Sequence, residues 1–500
     1  MRQLLIRVDA GVRVGMGHIM RCLGLAQGWT SRGGQATFIT SCESASLLRR
    51  LSDAGFEVVM LERSYPDPVD WEVTSQALAA HLSAWVVLDG YHFDPAYQHQ
   101  IHGTGHPLLV IDDVAHLDHY HADVVLNQNI NAGDFAYQCD PDTDLLLGTK
   151  YVQLRREFWS WRGWQRETSE VARKILVTLG GSDLNNVTLK VVQALQQVEI
   201  TGLETVVVVG NNNPHESILQ AAILKPQLKI RLLRDVADIP CWMAWADLAV
   251  SGAGSTCLEL AFMGVPAVTI ELADNQSDLA SGLQDVGVTQ NVGWHSDASP
   301  TQIAEAISGL ASSVERRMQM VRRGRELVDG AGAHRVVARM WGCRLSLRPA
   351  LEEDARMVWE WANDPDVRAA SFSPEPIEWV RHLQWFGAKV DDPHCRLYIA
   401  INEENAPIGQ IRFDVNGDDV VAAINVDCRY RRRGYGHEMI RMASERLWCE
   451  VGPNIIHAYV VPGNKASVKA FTKAGYHNGG RTRVRGYEAI DLTWMKDPDK

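Results

Sequence analysis

Short apolar runs at residues 4–8, 36–40, 84–88 and 108–111 alternate with longer amphipathic stretches, and this alternation constrains the fold more than any other feature. Parallel strands must be joined by a crossover of about a dozen residues, usually a helix, so the pattern predicts βα units on a parallel sheet. A second series begins at Lys174, with ILVTLGG, TVVVVG, IRLLRDV, DLAVSGAGS and PAVTIEL as its strand segments. Two such series in succession predict two Rossmann-like lobes, and ligands of such folds sit outside the carboxyl ends of the strands. The first joint is expected near residue 165, after the Trp-rich stretch 158–164. At Arg344 the pattern restarts as RLSLRPALEEDARMVWEWANDP: an alternating strand, a Pro turn and an acidic helix start. The expected domains are therefore 1–165, 166–342 and 343–500, the third following the second with almost no linker.

Composition narrows the function. At 46% hydrophobic and 22% charged, 500 residues can bury more than one core, which excludes disordered and fibrous classes. A net charge of −12 argues against nucleic acid as a partner. Nine cysteines without a C-x-x-C pair read as reduced, buried thiols. The N-terminus has three consecutive apolar residues before Arg7, too few for a signal peptide, and no run is long enough to span a bilayer. The expectation is a cytoplasmic protein without a membrane partner.

RVDAGVRVGMGHIMRCLGLAQGW places a strand, a loop with Gly15 and Gly17, and then His18 at the start of a helix. Glycines let a backbone approach a ligand, and the first N–H groups of a helix favour negative charge. The same dipole disfavours a protonated imidazole, which would keep His18 neutral as a general base. In the second series, Gly180, Gly181 and Ser182 end a strand in a shape suited to a diphosphate, although a Gly pair also simply turns a chain. Gly254, Ser255 and Thr256 open a helix and offer amide and hydroxyl donors. Glu259 follows about one turn later, where it could accept from a ribose diol or merely complement the helix dipole. No D-x-D-type cluster stands out, and no metal is expected.

The third domain carries VAAINVDCRYRRRGYGHEMIRMASERLW, an extended strand followed by R-x-x-G-x-G and an amphipathic helix. Amides of Arg432, Arg433, Gly434, Tyr435 and Gly436 can face a pyrophosphate, with Arg431 to Arg433 adding charge. Gly436 is expected to tolerate no side chain.

Taken together, R-x-D at residues 7–9, GMGHIMRCLGLA at 15–26, LDGYHFD at 88–94, IDDVAHLDHYHADVVLNQN at 111–129 and LLLGTKYVQLRREF at 145–158 resemble one family. It is that of the UDP-2,4-diacetamido-2,4,6-trideoxy-β-L-altropyranose hydrolases of pseudaminic acid biosynthesis, related in fold to the GT-B glycosyltransferases. The resemblance implies that His18 is catalytic, with Asp9 as its neighbouring carboxylate. It also implies a UDP site built from Ser255 and Thr256 on phosphate and Glu259 on ribose, with Asn275 and Gln276 at the mouth of a cleft. The third domain resembles the GNAT superfamily of N-acetyltransferases, which implies acetyl-CoA as cosubstrate, a strand that splays before the loop, amides near Val426 to Cys428 on the thioester, and Asn464 in a later cofactor segment. Phe471 stands where many such enzymes have a Tyr acid, leaving Tyr476 or water to protonate the thiolate, with Asp427 or Glu438 as bases through water. His382 and Trp385 lie in a stretch similar to the enzymes that acetylate nucleotide-linked amino sugars.

The combined expectation is an α/β chain, two lobes in a GT-B arrangement followed by an α+β acetyltransferase domain, that acetylates a UDP-4-amino-sugar and hydrolyses the acetylated product. A UDP-sugar-dependent glycosyltransferase and a non-catalytic UDP-sugar binder are the alternatives.

Overall fold

Leu4, Leu5, Ile6 and Val8 are at most 1% exposed in β1 (Gln3–Val8), as expected of a strand covered on both faces. Six further strands join it: β2 (Gln35–Thr40), β3 (Glu57–Met60), β4 (Trp85–Asp89), β5 (Leu108–Ile111), β6 (Val124–Asn127) and β7 (Asp144–Leu147). The sheet runs β3-β2-β1-β4-β5-β6-β7, parallel at every pairing. The second sheet contains β8 (Lys174–Thr178), β9 (Glu204–Val209), β10 (Lys229–Arg234), β11 (Leu248–Gly252), β12 (Ala267–Glu271) and β13 (Thr289–Trp294) in the order β10-β9-β8-β11-β12-β13, again all parallel. Both lobes thus have the doubly wound strand order, with the direction of winding reversing between β1 and β4 and between β8 and β11. The chain traced here is a computed structural model that describes all residues except 1, 12–15, 182, 211–212, 225–228, 235, 237, 343–344, 403–405, 418 and 496–500. Gly15 and Ser182 therefore lie outside the described residues.

The chain divides into two units, Met1–Val337 and Ala338–Lys500. In the second, β14 (Leu345–Pro349), β15 (Cys395–Asn402), β16 (Pro407–Asn416), β17 (Asp419–Val426), β18 (Ile455–Val460), β19 (His477–Val484) and β20 (Tyr487–Trp494) form a mixed sheet ordered β14-β15-β16-β17-β18-β20-β19. All neighbours are antiparallel except β17 and β18. That parallel pair is joined only from Asp419 to Val421, so the rest of β17 parts from β18. Helix Tyr435–Val451 starts at the gap and packs Met439, Ile440, Ala443 and Leu447 into the core. Among the described residues no helix is long and apolar enough to cross a membrane.

One glycine decides how the first helix packs. A Cβ on Gly24, in helix Gly17–Thr30, would lie 2.7 Å from the Gln153 carbonyl oxygen, so the helix backbone rests directly on the segment leading to Arg155. Gly24→Val is expected to lower the stability of the first unit by about 1–3 kcal/mol through this overpacking. The urea midpoint of unfolding measures it, and an unchanged midpoint would show that the contact is not tight.

Candidate functional site

His18 lies in the first turn of helix Gly17–Thr30, just beyond the carboxyl end of β1, and Asp89 is the last residue of β4. The strand order places these ends side by side at the reversal point of the first sheet. There the His18 Nδ1 stands 2.6 Å from Asp89 Oδ1, with both residues buried. Arg21, one turn along the helix, donates from Nη2 to the same oxygen and from Nε to Oδ2, each at 2.7 Å, and Cys22 Sγ donates to Oδ2 at 3.3 Å. Burial pushes the Asp89 carboxyl up, but Arg21 and His18 outweigh it and hold the group well below the carboxylate range. A carboxylate only accepts, so it selects the His18 tautomer with the proton on Nδ1 and a lone pair on Nε2.

The surrounding polar groups continue this network into the second lobe. Arg21 Nη1 donates to Asp113 Oδ2 at 2.6 Å, and the Tyr91 hydroxyl donates to the same oxygen at 3.2 Å. The Tyr91 ring meets His18 edge-on at 5.2 Å between centroids, and Asn275 Nδ2 reaches the Tyr91 oxygen at 3.4 Å. The other Asp113 oxygen is buried with no hydrogen-bond partner among the described residues. A Cβ on Gly17 would lie 3.6 Å from Ser255 Oγ, and one on Gly181 would strike Met16. A Cβ on Gly254 would meet Gln276 Nε2 at 3.4 Å. Gly17, His18, Gly181, Gly254, Ser255, Asn275 and Gln276 therefore converge although they come from two sheets. Gly180 adopts the left-handed backbone (φ 86°) that turns β8 into this loop, and Thr256 starts helix Thr256–Phe262 beside Ser255, whose hydroxyl makes no cap bond.

Two expected residues have other engagements. Asp9 is fully occupied: Arg7 donates to its two oxygens at 2.6 and 2.7 Å, Ser41 N and Oγ donate at 2.8 Å, and Ser64 Oγ at 2.7 Å. His92 Nε2 stands 3.2 Å away but out of line for a hydrogen bond. Burial raises the Asp9 carboxyl, but His92, Arg7 and the Ser41 amide outweigh it and hold the group well below the usual range. Asp9 compensates Arg7, which is completely buried and also bonded to Asp70 at 3.0 Å. Glu259 is likewise committed through one oxygen, which accepts from Arg155 Nη1 at 2.6 Å. Burial raises the Glu259 carboxyl and Arg155 partly offsets that.

Asp89, Arg21, Tyr91, Asp113 and Arg155 were not singled out from sequence. Signals exist for the first two alone: an Asp closing an apolar strand at the reversal point, and an Arg inside an otherwise apolar helix face.

In the second unit, Arg432 (φ 63°) and Gly434 (φ 89°) both have left-handed backbone, forming a concave run of amides that leads into helix Tyr435–Val451. Arg432, Arg433 and Gly434 are exposed, and Tyr435 is buried with its amide at the helix start. Gly434, rather than Gly436, is the glycine the backbone demands, since a Cβ on Gly436 would find ordinary contacts at 3.8 Å from Val426 and 3.9 Å from Ala470. Arg431 is tied away from any phosphate, with Nη2 on Asp364 at 2.8 Å, Nη1 on Asp366 at 3.0 Å and Nε on the Val426 carbonyl at 3.0 Å. Between Val426 and exposed Cys428, the Asp427 amide already donates to Ile408 O at 2.9 Å. The Asp427 carboxylate accepts from Arg429 and from Trp361 Nε1. Burial raises it but those bonds bring it down to about 2, so it is a brace rather than a base. Asn464 caps helix Lys465–Lys473 through Ser467 N at 3.0 Å. Tyr476 is buried with its hydroxyl on Ser444 at 2.8 Å, which removes it as an acid for a thiolate outside. His382 is a core residue 3.0 Å from the Ala355 carbonyl, packed beside Trp379 and Phe386.

Comparison with known proteins agrees with this two-part division. Residues 174–331 match the model of the glycosyltransferase family 28 C-terminal domain, and residues 344–477 that of the acetyltransferase (GNAT) domain. The chain joins a GT-B nucleotide-sugar fold to a GNAT acetyltransferase. The second unit is accordingly an acetyl-CoA-dependent enzyme domain. An uncharacterised protein of Methanocaldococcus jannaschii is 20% identical over 95% of this chain and 96% of its own. The spore coat polysaccharide biosynthesis protein SpsG of Bacillus subtilis is 25% identical over 67% of this chain and 96% of its own. The UDP-2,4-diacetamido-2,4,6-trideoxy-beta-L-altropyranose hydrolase of Campylobacter jejuni is 24% identical over 57% of this chain and 97% of its own.

Removing the Arg7 guanidinium leaves Asp9 and Asp70 buried without a counter-charge. Arg7→Met is therefore expected to cost about 3–5 kcal/mol in the first unit, measured by denaturant unfolding. A loss below about 1 kcal/mol, the scale of an exposed pair, would mean that the network is solvated.

Proposed function

We propose that the GT-B unit hydrolyses a UDP-linked diacetamido-trideoxy-hexose to free sugar and UDP, and that the GNAT unit makes this substrate by acetylating the 4-amino precursor. The observation that carries the first step is the His18–Asp89 pair set against Gly17, Gly181 and Ser255. The loop amides and the hydroxyls of Ser255 and Thr256 hold the diphosphate, and Nε2 of His18 takes a proton from a water near C1. The water oxygen bonds to C1 as the C1–O bond to UDP breaks, the electron pair leaving on the β-phosphate. Asp89 stabilises the imidazolium that forms, and the unpartnered Asp113 oxygen accepts a donor from the sugar. Asp9 acts at a distance, by keeping Arg7 and the β1 end in place.

In the GNAT unit the amide concavity at Arg432 to Gly434 receives the pyrophosphate of acetyl-CoA, with Arg432 and Arg433 supplying charge. The neutral sugar amine attacks the thioester carbon, the C–S bond breaks, and the proton lost from nitrogen passes through water to the thiolate, since Tyr476 is buried and Phe471 has no acidic proton. Chemistry orders the two steps, because acetylation converts a cationic amine into a neutral amide that the hydrolase site can distinguish.

His18→Ala is expected to slow UDP release by about 10²- to 10⁴-fold while leaving acetyl transfer unchanged. Equal loss of both activities in a folded variant would remove His18 from the hydrolase role. Gly436→Glu places a carboxylate beside the pyrophosphate site and should abolish acetyl transfer, yet release UDP normally from the already diacetylated sugar. Normal acetyl transfer by that variant would move the cofactor elsewhere. The match to a glycosyltransferase family supports a second reading, transfer to an acceptor. UDP release with no acceptor present separates the two.

A further inference from the structure

Tyr120 and Cys139 form an isolated parallel β-bridge, closed by Tyr120 N–H on the Gln138 carbonyl at 2.8 Å. Side chains of extended chain alternate, so residues flanking the bridge face away from the bridged pair. Tyr120 points inward, fully buried with its hydroxyl on Asp112, while His119, His121 and Asp140 share the outer face. His119 Nε2 is 2.8 Å from Asp140 Oδ1, and His121 Nδ1 is 3.2 Å from Asp140 Oδ2. One donor atom from each of the three lies within 4.8 Å of the others. The imidazoles are 39 and 32% exposed, which leaves the cluster open to solutes.

The arrangement is held from behind. His121 N–H donates to Gln98 Oε1 at 2.9 Å, fixing the backbone against helix Pro95–His102. His99 of that helix places a third imidazole edge-on to His121, 5.4 Å between centroids. Two imidazole nitrogens and a carboxylate oxygen are a donor set for zinc and related borderline divalent ions. With metal–ligand distances near 2.0–2.2 Å and tetrahedral angles, such an ion needs donors roughly 3.4 Å apart, so small side-chain rotations suffice.

We propose that His119, His121 and Asp140 form a binding site for a zinc-class divalent transition-metal ion. The site precedes β6, at the amino ends of the strands, whereas His18 and Asp89 lie at the carboxyl ends of β1 and β4. Its role is structural: the ion ties the β5–β6 connection, which carries Asp113, to the segment that leads into β7. It does not depend on the hydrolase reading.

The test is calorimetric titration of the metal-stripped, tag-free full chain with zinc chloride, paired with thermal unfolding. One zinc per chain is expected, together with a higher unfolding midpoint. His119→Ala, His121→Ala and the isosteric Asp140→Asn should each weaken that binding by at least about tenfold, the loss that even an outer partner causes at metal sites, and abolish the midpoint shift. His102→Ala, on the same helix as His99, should change neither. Circular dichroism confirms that each variant is folded, as the exposure of all three side chains implies. Absence of zinc uptake by the parent chain, or equal affinity in His121→Ala and Asp140→Asn, would overturn the proposal.

Discussion

The buried Asp89 carboxylate organises the first unit's site. An isolated charge at that depth would be strongly disfavoured, and it persists because Arg21 grips both oxygens while His18 and Cys22 complete the shell. Each partner sits on one helix, at positions set by helical spacing, and that helix is the first after β1, which pairs with β4. The same guanidinium reaches Asp113 and thereby Tyr91, which touches Asn275 of the second lobe. One ion cluster thus fixes the histidine tautomer and links it to the residues expected around a sugar.

Parallel topology explains why the rest of the site gathers there. Each sheet reverses its winding once, and at that point two loops diverge and leave a crevice. In the first sheet the crevice holds His18 and Asp89; in the second it holds Gly181, Gly254 and Ser255. The close approach of Gly17 to Ser255 and of Gly181 to Met16 shows the two crevices meeting within one unit. In the second unit the equivalent device is the parting of β17 from β18 after Val421, which opens the sheet at the amide-lined loop.

The βα alternation, the lobe count and the glycine loops were legible in the sequence because they depend on local periodicity and turn chemistry. The place of His18 and Ser255 at helix starts was legible for the same reason. What could not be read is which charge pairs with which. Glu259 reads from sequence as a partner for a ribose diol or the helix dipole, whereas the group bonded to it is Arg155, 104 positions away. Asp9 reads from sequence as a catalytic neighbour of His18; its bonds run to Arg7, two residues earlier in β1, which also reaches Asp70. Gly436 seemed indispensable from its place in R-x-x-G-x-G, yet the left-handed conformation falls at Gly434. Tyr476 offered a phenol at a plausible spacing, and only packing shows it turned inward toward Ser444.

The central claim is that a water positioned by His18 attacks C1 of the sugar. Hydrolysis of the diacetylated UDP-sugar in ¹⁸O-labelled water, without an acceptor, tests it by mass spectrometry of products quenched before the free sugar exchanges its anomeric oxygen. The account predicts label in the sugar and none in UDP, because the C1–O bond breaks. Label in the β-phosphate of UDP would instead show attack at phosphorus, and His18 would then be serving a different reaction.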